Sequence, residues 1–107
     1  MTDSEREEIM KAATVDGAFL IYKNRPLVRD GNILCYGNMS DAFYLQLVIM
    51  NTIEVKGHEV PDKIIIQIVS TDKKLSAGER IVKQDMKSGL AEAFELGVIW
   101  LERNLGE

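Results

Sequence analysis

The side chains able to do chemistry are few and far apart in the chain. The one histidine, His58, stands beside Glu59 and could act as a general base or a metal ligand. Its flanks Lys56, Gly57, Val60 and Pro61 place it in a turn, where an exposed imidazole is the plainer reading. The one cysteine, Cys35, lies between Leu34 and Tyr36 in a strand-like stretch, a setting in which a thiol packs as a small hydrophobe. A zinc centre takes about three or four protein ligands, more than a single imidazole and a single thiol supply. No serine has the strained strand-to-helix setting of an activated nucleophile. These residues predict no catalytic group, no metal and no cofactor.

Anion binding has a better place in Lys73-Lys74-Leu75-Ser76-Ala77-Gly78, which leads into a helix start whose free N–H groups favour negative charge. The segment lacks the two-glycine frame and terminal Gly-Lys-Ser/Thr of a P-loop, so a serine-capped, solvated helix start competes with the site reading. A small-anion or phosphate ligand would use Lys73, Lys74, Ser76 and Gly78, with Arg25 and Arg29 brought in by the fold. Lys73, Lys74, Arg80, Lys83 and Lys87 also outnumber Glu79 and Asp85, and Lys23, Arg25 and Arg29 form a second basic group. That footprint is partial and carries neither an RNA-binding aromatic signature nor a DNA-reading helix, so a nucleic-acid-associated regulator is the third reading.

The elements that must position these residues read as α+β. Ser4 and Glu7 have capping-box spacing and predict an N-terminal helix through Ala13, ending near Asp16-Gly17. A first strand is predicted over Ala18 to Tyr22 and a second from about Leu27. Asp30-Gly31 between apolar runs predicts a two-residue hairpin turn into Ile33 to Tyr36. Ala42 to Val55 predicts one long strand, apolar on both faces, with Asn51 breaking the alternation and suggesting a bulge. The isoleucine run Ile64, Ile66, Ile68 returns beside it. Ser76 and Glu79 repeat the capping-box spacing and predict a short polar helix reaching Met86. Leu90, Phe94, Gly97, Val98, Leu101 and Leu105 recur at helical spacing and predict a final helix across the sheet. The expected frame is an N-terminal helix, an antiparallel β-meander of about four strands, and a C-terminal helix packed on it.

A chain of 107 residues fits a single domain over 1–107. Thirteen Lys plus Arg against seventeen Asp plus Glu give a formal charge of -4, which disfavours a broad polyanion-binding surface. A lone cysteine suits a reducing compartment, and the acidic start Asp3-Ser4-Glu5 lacks the basic and apolar regions of a signal peptide, so a cytoplasmic protein is expected. No apolar run approaches the roughly 20 residues that span a bilayer.

The block Tyr22-Lys23-Asn24-Arg25-Pro26-Leu27-Val28-Arg29-Asp30-Gly31-Asn32, followed by Tyr36-Gly37-Asn38-Met39-Ser40-Asp41, resembles segments of short bacterial proteins of unknown function. The resemblance implies no activity, ligand or site. From the residues, the leading expectation is a non-enzymatic binding or assembly module acting as a homodimer. Tyr44, Val48, Met50 and Trp100 are its candidate interface residues, because small domains gain stability by pairing apolar surface.

Overall fold

The computed structural model describes residues 19–106. Its strands are β1 (Phe19–Tyr22), β2 (Arg25–Asp30), β3 (Ile33–Tyr36), β4 (Phe43–Ile49), β5 (Thr52–Val55), β6 (His58–Pro61), β7 (Lys63–Ser70) and β8 (Ile81–Ser88). The helices are α1 (Ala77–Arg80), between β7 and β8, and α2 (Leu90–Leu105). A six-stranded sheet runs in the order β1-β2-β3-β4-β7-β8, and β5-β6 form a separate two-stranded one. Every pairing is antiparallel.

The expected α+β frame of about four strands is therefore corrected: the described fold is mainly β, with one long helix and a helix of a single turn. The expected N-terminal helix falls outside the described residues. The largest change is at Ile81–Ser88, where a helix reaching Met86 was expected and an edge strand is found. The capping box is present, with Ser76 Oγ accepting from the Glu79 N–H and the Glu79 carboxylate accepting from the Ser76 N–H. It starts only the four residues of α1, because the Ile81 backbone is already extended.

Turn chemistry sets the meander. Lys23 and Asn24 both take positive φ, 50° and 63°, the conformation of a two-residue hairpin turn that matches strand twist. This turn opens β2 at Arg25 rather than at Leu27. The next turn is Gly31-Asn32, one residue later than the expected Asp30-Gly31, because Asp30 pairs with Ile33 and Gly31 alone takes positive φ, at 62°. The expected bulge at Asn51 is absent as well. Ile49 pairs with Ile64 and Thr52 with Pro61, so the register passes through the junction without a shift. What divides the two sheets is a replaced hydrogen bond: the Lys63 N–H donates to Asn51 Oδ1 at 2.9 Å. The sheet's irregularity lies instead in β7, between Ile68 and Val69.

One face of the large sheet carries the core. Leu27, Leu34, Tyr36, Leu45, Leu47, Ile49, Ile64, Ile66 and Ile68 pack against Leu90, Ala93, Phe94, Val98, Trp100 and Leu101 of α2. Burying these side chains supplies the main driving force for folding, at roughly 1.5–3 kcal/mol for each large aliphatic or aromatic one. Tyr22, Tyr36 and Phe94 form an aromatic cluster with centroids 5.1 to 6.1 Å apart. The helix is held at both ends: the Gly89 N–H donates to the Asp62 carbonyl at 2.7 Å, and left-handed Gly106 caps the last turn.

Candidate functional site

Strand alternation and cross-strand register together define the face of the sheet opposite α2. Val28, Cys35, Gln46, Gln67 and Gln84 align in one row across β2, β3, β4, β7 and β8. Asp30, Ile33, Val48, Ile65 and Met86 align in the next. On the far side of the glutamine row, Tyr44, Val69 and Ile81 stand side by side. Val28 and Met86 are exposed, Met86 by 51%, while Ile33, Val48, Ile65 and Tyr44 are half-buried. Among the strand residues of this face, charge occurs at Asp30 and Lys63, both toward the β5-β6 end.

Within this apolar surface the glutamines bond to one another. Gln46 Nε2 donates to Gln67 Oε1 at 2.9 Å, and Gln67 Nε2 donates to Gln84 Oε1 at 3.1 Å. Cys35 shares the row, where burial and then the Asp30 carboxylate push its thiol pKa up, away from the reactive thiolate. Burial likewise raises the Tyr44 hydroxyl, the nearby Cys35 adds to the rise, and Arg80 opposes it. Both shifts favour the protonated forms of these two groups.

The interface candidates separate accordingly. Tyr44 and Val48 lie on the open face, and Met50 is exposed where β4 gives way to β5. Trp100 is on the other side of the sheet, 8% exposed in the α2 core, with Lys83 Nζ 4.3 Å from its ring centroid. That cation–π contact completes the edge of the core.

The anion candidates are spread along the molecule. Lys73, Lys74, Ser76 and Gly78 lie in and around α1, with the Ser76 hydroxyl and N–H both engaged by Glu79. The Ser76 backbone N–H first, and the Ser76 side chain second, hold the Glu79 carboxyl below its ordinary range. Arg80 turns back to donate to the carbonyls of Leu75 and Lys73. Arg25 lies at the same end of the sheet, in an open polar hollow of about 320 Å³ lined also by Lys23, Asn24, Asn38 and Asp41. Arg29, four residues along β2, is bound at the opposite end, where its Nε donates to the Gly31 carbonyl at 2.7 Å. On the helix side of β8, Asp85 separates Lys83 from Lys87.

His58 is exposed in the β5-β6 hairpin, opposite Val55. Among the described residues no group of three His, Cys, Asp or Glu side chains could hold a metal ion, and no helix is long and apolar enough to cross a membrane.

The glutamine row escaped sequence reading because its members are 21 and 17 residues apart and align only through strand register. The legible signal was the apolar character of both faces of β4. No family model, curated protein or solved structure matches the chain.

Proposed function

We propose that this protein is a non-enzymatic assembly module that forms a homodimer through the face of the sheet opposite α2. The observation that carries this reading is the open face itself: among the described residues it is largely apolar across five strands, crossed by the glutamine row, with strand charge at Asp30 and Lys63 toward the β5-β6 end and Arg80 near Tyr44 at the other. Ile33, Val48, Ile65 and Met86 line up there as a continuous strip, the kind of contiguous apolar surface that marks contact sites. Among the described residues the centre of this face, from Ile33 to Met86, offers a charged partner no ion pair. A second copy brings an equal apolar strip, and burying the two against each other excludes water from both.

The test is native mass spectrometry and sedimentation of the full chain. A dimer is expected, and Val48→Lys should raise its dissociation constant at least about tenfold, because a lysine at the strip would be buried against apolar surface. Circular dichroism should show the substituted chain still folded. A wild-type chain that stays monomeric at about 100 µM, a concentration at which even a weak specific dimer assembles, would overturn the reading.

A further inference from the structure

The glutamine row has a direction, and that direction bears on how two copies meet. Gln67 both donates and accepts, bonded to Gln46 on one side and Gln84 on the other. Among the described residues, the row is left with an open acceptor at the Gln46 end and an open donor at the Gln84 end. A polar row inside an apolar contact is costly when its ends stay unpaired, at roughly 1–3 kcal/mol for each buried unsatisfied group. Something must meet a free acceptor and a free donor separated by two strand spacings, about 10 Å.

Resting on the reading that copies pair through this face, we infer that the two-fold axis of the dimer passes beside Gln67, so that the two glutamine rows lie antiparallel. A two-fold rotation there carries Gln84 of the second copy over Gln46 of the first, and the reverse. Each open amide donor then meets an open carbonyl acceptor, and both ends of both rows are satisfied by one operation. A parallel stacking of the rows would set each Gln46 over its own copy, out of reach of the open Gln84 amide about 10 Å away along the row. Apolar strips alone slide over one another, whereas the amide row fixes orientation and offset, as isolated polar groups do in other apolar interfaces. The flanking rows are uncharged in their centre, so no charge pairing competes with this choice.

Charge exchange at the axis tests it. A residue on the axis faces its own copy, so Gln67→Glu and Gln67→Lys should each raise the dissociation constant at least about tenfold through like-charge contact. Mixing the two variants should restore a dimer holding one of each, read directly by its mass. Two variants that each remain dimeric, or a mixture that forms no mixed dimer while wild type does, would overturn the axis and leave the homodimer reading standing. A monomeric wild type would remove both. A second measurement avoids altering Gln67. In a Cys35→Ser background, a short bis-maleimide should link Gln46→Cys chains to Gln84→Cys chains several-fold more than it links either variant to itself. Equal linking in all three samples would also overturn the axis.

Discussion

The close approach of α2 to the sheet is decided at Gly97. A Cβ built there would stand 2.6 and 2.8 Å from the two methyl carbons of Leu45 and 3.2 Å from its Cγ. Leu45 is fully buried, so it has no solvent to move into. Alanine would add about 1 kcal/mol of helix propensity, but forcing a methyl into a filled core costs about 1–3 kcal/mol. Gly97→Ala should therefore lower stability in denaturant titration, and Leu45→Ala, itself costly in a filled core, should cost less in the Gly97→Ala background than in the wild type, a coupling that two independent sites would not show. Tyr36 makes a second residue-scale prediction. Its hydroxyl donates to the Tyr22 carbonyl at 2.8 Å. Burial pushes its pKa up to about 12, against the opposing effect of Arg25. Because the folded state holds this proton more tightly than the unfolded chain, its contribution is fully present below about pH 10 and is lost as the pH rises toward about 12. The loss is on the order of 2 kcal/mol. Stability measured between those limits should fall steeply in the wild type and less steeply in Tyr36→Phe, which has no proton to lose.

At the scale of elements, β5 and β6 form an arm that projects past the large sheet. Their residues from Thr52 to Glu59 are all exposed, Ile53 and Val55 by 44% each. Four residues per strand give it a reach of about 13 Å. An arm built this way contributes little to the core, so replacing Thr52 through Pro61 by Asn-Gly should leave cooperative unfolding intact and move the melting temperature by less than about 4–8 °C, the shift of 1 kcal/mol. A lost transition would show that the arm props the core. The arm also explains what was legible in the sequence. The Gly31 hairpin was readable within one residue, because an Asp-Gly pair between apolar runs signals a turn that needs positive φ, which Gly31 takes. The stripe on α2 and the alternating isoleucines of β7 were readable because one side of each is buried. Strand β8 was not. As the outer strand it is solvated on nearly every residue, and Lys83, Gln84, Asp85 and Lys87 erase the period-two pattern that identifies a strand. The break after Tyr22 was readable from Lys23-Asn24-Arg25-Pro26, but not that Lys23 and Asn24 alone make the turn, since a left-handed turn without glycine carries no strong composition signal. The open face was half legible: Tyr44 and Val48 showed that β4 is apolar on both sides, while the alignment of Gln46, Gln67 and Gln84 needed the register.

For the whole molecule, the distribution of charge separates the proposed homodimer from a polyanion-binding protein. Each chain carries a formal charge of -4, and the open face contributes almost nothing to it. Two copies approaching through that face therefore repel at long range through charges located elsewhere, while their contact surface gains nothing from ion pairing. Salt screens the repulsion over a distance that shrinks from about 14 Å at 50 mM to about 4 Å at 500 mM. It also leaves apolar burial in place. Self-association should accordingly tighten slightly, by about two- to threefold, across that range of sodium chloride, as measured by sedimentation equilibrium. Binding through Lys73, Lys74, Lys83 and Lys87 to a phosphate backbone would behave in the opposite sense, weakening steeply because released counterions drive it. A dimer that dissociates as salt is raised would place its contacts on charged surfaces such as β8 and the α1 end rather than on the glutamine-crossed face, and would move the interface to the other side of the molecule.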